Sequence, residues 1–193
     1  IADIMLLEGE NRRIVKAGLA LLQQTERPGI AALIEACGLG GKELTAENVS
    51  FGLAPRLNAA GRMDSAAAAL ELLLCEDPEE AEAIVAGLEA QNAARQKAEQ
   101  DILQGVLDSV AADETYGADR ILVVWGRGYH QGVIGIVASR VVERFGKPAI
   151  IVSVDENGEG KGSGRSIAGV SLYNAIAACG DLLIRFGGHA LAA

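Results

Sequence analysis

One uninterrupted run, from Glu79 to about Ala112, constrains the fold more than any other part of the sequence. It follows Pro78, contains no further proline, and has glycine only at Gly87 and Gly105. Such a run predicts a helix on the order of 50 Å long, because each helical residue adds about 1.5 Å. Apolar residues concentrate toward its two ends, and the middle, Gln91 to Gln100, is polar nearly all round. This pattern is typical of a helix that connects two domains.

The two sides of this run differ in composition and in charge. Residues 1–115 are rich in Ala, Leu and Glu at helical spacing, and they carry 9 basic and 20 acidic groups. Residues 116–193 are rich in Gly, Val and Ile, with 8 basic and 6 acidic groups. The sequence therefore predicts two domains of different class, the first helical and the second α/β.

Hydrophobic periodicity predicts the elements of both parts. Three helices are expected before the long run: Asn11–Gln24 with Asn11 as its N-cap, Gly29–Cys37, and Ser65–Leu74. The second part alternates strands and helices: Arg120–Trp125, Ile134–Phe145 ended by Gly146, Pro148–Val154, an Asn157-Gly158 hairpin turn into Gly160–Ser166, and Ser171–Ala178. This order indicates a small mixed sheet.

Composition excludes several classes of protein. Half of the residues are hydrophobic, which is too many for a disordered chain. The most apolar stretch, Ala66 to Leu74, is interrupted by Glu71 and is far shorter than the about 20 residues of a membrane span. Three widely spaced cysteines in apolar segments, Cys37, Cys75 and Cys179, suggest buried thiols in a reducing, cytoplasmic environment.

The net charge of −9 argues at first against a nucleic-acid partner, since phosphates attract basic surfaces. The distribution of the charge changes that conclusion. Residues 71–115 hold 12 acidic and 2 basic groups, so the predicted connecting helix and its approach contain the entire acidic surplus. The remaining residues sum to +1 and permit a nucleic-acid strand to bind.

Four short clusters combine glycine and small residues with Arg, Asn, Ser or His: Ala54–Met63, Gly128–Gly135, Lys161–Ser166 and Gly187–His189. Arginine grips phosphate through paired hydrogen bonds, and a glycine-rich turn that opens a helix favours an anion. Each cluster also has a structural alternative. The arginines of the first could pair with carboxylates in a loop at a helix end, His130 could be a turn residue, and Arg165 could be a solvated strand residue.

In this order the clusters resemble the RecJ-like family, the bacterial single-stranded-DNA-specific exonucleases of the DHH phosphoesterase superfamily. The resemblance covers nearly the whole chain, and these strings carry it: Pro55-Arg-Leu-Asn-Ala-Ala-Gly-Arg62, His130-Gln-Gly-Val-Ile-Gly-Ile-Val-Ala-Ser-Arg140, Gly162-Ser-Gly-Arg-Ser166, Gly187-Gly-His189, and Ala2-Asp3-Ile4 near the start. The first string is specific to this family, whereas Gly-Gly-His marks the wider group of proteins with a DHHA1 domain.

The resemblance implies an α/β architecture in three parts. Residues 1–77 would be the helical C-terminal part of a DHH catalytic domain, residues 78–113 the connecting helix, and residues 114–193 a DHHA1 domain with a mixed sheet, truncated at its C-terminus. The whole enzyme would use two Mn²⁺ or Mg²⁺ ions to hydrolyse single-stranded DNA from the 5′ end in recombination and repair.

The same resemblance assigns roles to individual residues. Asp3 would be a metal ligand. The residues near the reacting phosphate would be Arg56, Asn58 and Arg62. The residues that hold the strand from the second domain would be His130, Ser163, Arg165, Gly187, Gly188 and His189. Arg140 lies farther along its helix and is interpreted as structural.

The chain departs from the family pattern because the other metal-binding Asp and His motifs are missing from it. Asp3 alone cannot hold two ions, so the fragment is expected to bind no metal and to be inactive. Its partner would be single-stranded DNA, with other DNA-repair proteins contacted through regions outside the chain. Two alternatives stay open: a DHH-family oligonucleotide or cyclic-dinucleotide phosphodiesterase, and a non-catalytic nucleic-acid-binding DHHA1 module.

Overall fold

A computed structural model describes residues 1–2 and 5–193 of the chain. These residues form two compact units, 1–95 and 96–193. The first unit is helical, and its elements are α1 (Gly9–Gln23), α2 (Pro28–Ala36), a π-helical turn (Asn48–Leu53), α3 (Ala54–Met63), α4 (Ala67–Leu74) and the first half of α5 (Pro78–Ala112). The predicted long helix is confirmed as α5, which contributes residues to both units. The exact domain boundaries 1–77, 78–113 and 114–193 stay a prediction.

The core of the first unit forms where four helices and their connections pack side by side. Its buried side chains are Leu33, Ile34, Leu44, Leu53, Ala60, Leu72, Ala81, Val85 and Leu88. The closest approach joins α2 to α4: a Cβ atom built on Gly29 would lie only 1.7 Å from the carbonyl oxygen of Leu72. Glycine at position 29 therefore allows the two helices to pack in contact.

Helix α1 differs from its prediction in two ways. Glu8 occupies the N-cap position, and Asn11 lies inside the helix, where its side-chain amide donates to the carbonyl of Leu6 (3.1 Å). None of the residues of α1 is buried, and Ile14 and Leu21 are 67% and 74% exposed. Periodicity identified an apolar stripe along α1, but an apolar stripe does not by itself show that the helix packs against a core.

The cluster at 54–63, for which a loop at a helix end was the structural alternative, is itself helical. The chain enters it through reciprocal hydrogen bonds: the Thr45 N–H donates to Asn48 Oδ1 (3.0 Å) and the Asn48 N–H donates to Thr45 Oγ1 (3.2 Å). This is the geometry of a capping box with Asn in place of the usual Glu. The π-helical turn then leads directly into α3, a shape that often marks functional sites.

The second unit contains the C-terminal half of α5 and a three-stranded sheet in the order β1 (Leu122–Arg127), β2 (Ala149–Val154), β3 (Gly160–Arg165). Strands β1 and β2 are parallel and joined through α7 (Ile134–Phe145), whereas β2 and β3 form an antiparallel hairpin. Two short helices, α6 (Thr115–Ala118) and α8 (Leu172–Ala177), complete this unit with a 3₁₀ turn at Gly180–Leu182. The predicted mixed α/β sheet is confirmed, and Gly146 ends α7 with φ +65°.

The sheet has one covered face and one partly open face, because side chains alternate along each strand. Buried side chains on the covered face include Leu122, Val124 and Ile151, and α7 packs against β2 and β3. On the opposite face Trp125 is 62% exposed, and its neighbours in the register are Val152 and Gly162.

Two expectations about side-chain burial were wrong. The middle of α5 is not solvated all round, because Asn92 and Glu99 are both buried there. The cysteines are less buried than their apolar neighbours suggested: Cys37 and Cys75 are half-buried, Cys179 is exposed, and all three are free thiols. Both errors have the same cause. The residues next to a position in sequence do not show whether another element packs over its side chain.

Among the described residues, no helix is both long enough and apolar enough to cross a bilayer.

Candidate nucleic-acid interface

Arg56 is the most tightly held of the predicted phosphate-binding residues. On α3 its Nε donates to a carboxylate oxygen of Glu89 on α5, and its Nη1 donates to the carbonyl of Gly52 (2.8 Å). Cys37 lies in the same environment: burial raises the pKa of its thiol, nearby Arg56 opposes the rise, and Glu89 adds to it. The paired carboxylate of the structural alternative is therefore present, and Arg56 joins α3 to α5.

Asn58 and Arg62 lie on the exposed side of the same helix. They are four residues apart, a spacing that places two side chains on one face, and both are exposed. Between them Ala59 and Ala60 are fully buried, so the small residues of the cluster pack inward while the polar ones face outward. This face of α3 presents an amide and a guanidinium to solvent.

In the second unit α7 approaches β3 closely. A Cβ atom on Gly135, in the first turn of α7, would lie 3.0 Å from both Arg165 Nη2 and Ser163 Oγ. The Arg165 guanidinium is oriented by two hydrogen bonds from Nη1, to Ser163 Oγ (3.3 Å) and to the carbonyl of Gly164 (2.8 Å). Glycine at 135 thus leaves room for the Arg165 side chain beside the helix N-terminus.

The loop before α7 carries His130. Its Nδ1 accepts a hydrogen bond from the Gly132 N–H (3.2 Å), so in the neutral imidazole Nε2 is the protonated, donor nitrogen. The His130 carbonyl accepts from the N–H groups of Val133 (2.9 Å) and Ile134 (3.2 Å). His130 is therefore a turn residue, as its structural alternative stated, and it also keeps one donor nitrogen for a ligand.

The Gly-Gly-His segment lies beside β3. The His189 N–H donates to the Ala192 carbonyl (2.7 Å) in a tight turn, and Ala192 also pairs with Arg165. Gly188 has φ +139°, and a Cβ there would lie 2.4 Å from the Ala192 oxygen, so only glycine fits. Gly187 has open space around it, and His189 is exposed.

The structure therefore brings the second-unit residues together around β3 and the start of α7: His130, Ser163, Arg165, Gly188 and His189. Asn58 and Arg62 share a face of α3, whereas Arg56 is bound to Glu89. Asp3 lies outside the described residues. Within the described part of the chain, no three or more His, Cys, Asp or Glu side chains are grouped to hold a metal ion. The functional roles of these residues stay predictions.

Two contacts of this unit were not predicted as part of the site. Tyr129 lies against Gly126 and Gly105, and its pKa is raised because burial disfavours the phenolate. Glu99 on α5 accepts a hydrogen bond from Arg140 Nε on α7 (3.2 Å), which agrees with the structural role expected for Arg140. The glycine at position 105 was the only sequence signal for the first contact.

Removing Arg140 should destabilise the second unit. The Glu99 side chain is only 11% exposed, so Arg140→Ala would leave a buried carboxylate without this partner. Because the Arg140 side chain is 58% exposed and water can enter in its place, we expect a loss of about 1–2 kcal/mol. Urea unfolding measures it. Lys97→Ala breaks the exposed Lys97–Asp101 pair and is the control; equal losses for both variants would contradict a special role for Glu99.

Comparison with known proteins shows what this chain is similar to. Residues 118–193 match the family described as the DHHA1 domain. The single-stranded-DNA-specific exonuclease RecJ of Bacillus subtilis is 43% identical over 195 residues, an alignment that covers all of this chain and 24% of that protein.

Two solved structures resemble the whole chain. RecJ from Thermus thermophilus in complex with Mg²⁺ has a TM-score of 0.86 at 40% identity and is matched over 100% of this chain and 29% of its own. An exonuclease RecJ bound to manganese has a TM-score of 0.84 at 40% identity, over 99% of this chain and 46% of its own. The chain spans about a quarter to a third of the length of the curated relatives it matches.

Proposed function

Because the whole chain is similar in sequence and fold to one segment of RecJ, we propose that it is the strand-holding part of a single-stranded-DNA-specific exonuclease. The observation that supports this most directly is the placement of Ser163 and Arg165 beside the start of α7, together with the pairing of Arg165 to the turn that carries His189. A guanidinium, a hydroxyl, the exposed imidazole of His189 and the half-buried imidazole of His130 form a surface that suits the phosphates of a single strand.

Each side chain would have a distinct task. Arg165 would contact a phosphate, since its internal bonds to Ser163 and Gly164 fix the plane of the guanidinium in advance. His130 would donate a hydrogen bond from Nε2, because its Nδ1 already accepts from the Gly132 N–H. Gly187 would let the strand approach the backbone closely, because no other atom lies within 4 Å of the place where a side chain would begin.

The exposed face of α3 would contact the nucleic acid near the reacting phosphate, the role that the resemblance implies for this cluster. Asn58 and Arg62 are both exposed on that face, and Arg56 is bound to Glu89 and Gly52. We assign Arg56 a positioning role, in which its ion pair holds α3 against α5. Asn58 and Arg62 are the residues of this cluster proposed to touch the substrate.

The hydrolytic ions of such an enzyme are Mn²⁺ or Mg²⁺, which prefer several carboxylate or other oxygen ligands. The described residues do not fit this requirement, because they contain no group of three or more candidate ligands. No step of hydrolysis is therefore assigned to them. We propose that the remaining ligands of a complete enzyme belong to sequence other than these residues.

The experiment is a binding titration of this 193-residue chain with a fluorescein-labelled oligothymidylate, read by anisotropy, with the matching duplex as competitor. We expect saturable binding to the single strand, weakened by salt and poorly competed by the duplex. Absence of binding at low salt, or equal preference for the duplex, would contradict the proposal. Binding restricted to oligoribonucleotides of a few residues or to a cyclic dinucleotide would favour the oligonucleotide phosphodiesterase alternative.

A second measurement concerns catalysis. With 5′-phosphorylated single-stranded DNA and millimolar Mn²⁺, the chain is expected to release no nucleotides above the level of a no-protein control. The reason is that the two-metal mechanism expected of such an enzyme needs ions held by several ligands, and the described residues contain no group of three or more candidate ligands. Nucleotide release that copurifies with the chain and is lost in an Arg62→Ala variant would overturn the expected inactivity.

A further inference from the structure

Tyr129 immediately precedes His130 and lies between two glycines from different elements. Its ring covers Gly126 of β1, where a Cβ atom would come within 2.2 Å of Tyr129 Cζ. Its hydroxyl reaches α5, where a Cβ atom on Gly105 would lie 3.0 Å from Oη. The ring therefore occupies space that any other residue at either position would require.

The backbone of the same residue is also fixed. The Ser153 hydroxyl donates to the Tyr129 carbonyl at 2.6 Å, and Ser153 itself is buried on β2. One residue later, the His130 carbonyl accepts from Val133 and Ile134 and so leads into α7. The ring has no free space over Gly126, so it cannot move without moving its own backbone. A displacement of the Tyr129 ring would therefore shift His130, which is the next residue along the chain.

From this arrangement we propose that Gly105 and Tyr129 are positioning residues for strand binding. Their contact lets α5 set the place of the 129–132 loop, and thereby of His130, relative to Arg165 and Ser163 on β3. The inference rests on the proposed function, in which these side chains hold a single strand. It adds that the connecting helix α5 supports the binding site through Gly105, which does not itself touch a ligand.

Gly105→Ala tests this proposal because it should raise the stability of α5 and lower the affinity for DNA. Alanine favours a helix more than glycine does, so α5 itself should become more stable. The added methyl group, however, is tighter against Tyr129 Oη than ordinary contacts allow, and the ring must move by a few tenths of an ångström. Because the displaced ring should shift His130, we expect affinity for a labelled oligothymidylate to fall about fivefold.

Two further variants separate positioning from general damage. Gly87→Ala makes the same change in the same helix, and no atom lies within 4 Å of the new methyl group, so affinity should not change. Gly105→Ala combined with Tyr129→Phe removes the crowded hydroxyl. The nearest remaining ring atom lies 3.9 Å from the Cβ position, an ordinary contact, so affinity should return to near that of the unaltered chain.

The measurements are anisotropy titrations of all four proteins and melting curves by circular dichroism. Weaker binding by Gly105→Ala alone, with its melting temperature held or raised and the double variant restored, is the expected result. Unchanged affinity in Gly105→Ala, or a loss that Tyr129→Phe fails to restore, would overturn the positioning role while leaving the proposed function intact. If the unaltered chain fails to bind, the proposed function fails, and this inference fails with it.

Discussion

Replacing Arg165 with alanine should weaken binding of single-stranded DNA by about tenfold at low salt, since hydrogen bonds between charged groups contribute on the order of 1.5–3 kcal/mol. Arg165 lies where three segments meet: β3, the first turn of α7 at Gly135, and the turn that carries His189. The loss of one phosphate contact should also reduce the slope of log affinity against log salt by about 0.7. Anisotropy titrations at several salt concentrations measure both quantities.

Arg144→Ala is the matched control for that variant. It removes one positive charge from the same unit, near the opposite end of α7, where the guanidinium lies 6.0 Å from the Phe145 ring centre. Its effect on affinity should be slight and its salt slope unchanged. If the two variants weaken binding equally, the contribution of Arg165 is general electrostatic attraction, and the proposed phosphate contact is wrong.

Gly29→Ala should be the most destabilising single change in residues 1–95. The new Cβ would lie 1.7 Å from the carbonyl oxygen and 2.8 Å from the carbonyl carbon of Leu72. Those are backbone atoms, so no side-chain rotation relieves the overlap and α2 must separate from α4 around the fully buried Leu72. We expect a loss of at least about 3 kcal/mol, at the upper end for overpacking, and a melting temperature lower by roughly 10 °C or more.

Gly18→Ala controls for the change of residue type. It also places a methyl group on a helical glycine, in α1, and nothing lies within 4 Å of it. The helix propensity of alanine should make this variant slightly more stable than the unaltered chain. A Gly29→Ala protein that melts as the unaltered chain does would show that α2 and α4 are not packed as described.

Several features followed from local sequence alone. The spacing of apolar residues identified α5 and α7, and Gly146 marked the end of α7 because only a residue that tolerates positive φ continues the chain there. The Asn-Gly pair at 157–158 located the β2–β3 hairpin, and Gly158 has φ +84°. The resemblance stated from the residue clusters agrees with the similarity to RecJ over the whole chain.

Other predictions failed because a pattern of residue types does not show which contacts the side chains make. Asn11 has the chemistry of an N-cap, yet Glu8 starts the helix and the Asn11 amide bonds to Leu6 instead. The middle of α5 is polar in composition, and nevertheless Asn92 and Glu99 are buried. Periodicity describes a helix by itself, whereas burial depends on the surface that packs against it.

The sequence by itself determined the long helix, the mixed α/β sheet and the four clusters of Gly with Arg, Ser, Asn or His, because these depend on residues within one or two turns of each other. The tertiary structure decided which partners the residues of each cluster meet. Arg56 is paired with Glu89, 33 residues away, while Arg165 and Ser163 lie beside the start of α7 and Arg165 pairs with the turn that carries His189. The position of Tyr129 depends on Gly105 of α5 and Gly126 of β1, which contact it from two different elements. Ion pairs and close packing join atoms that are near in space, and only the fold sets those distances.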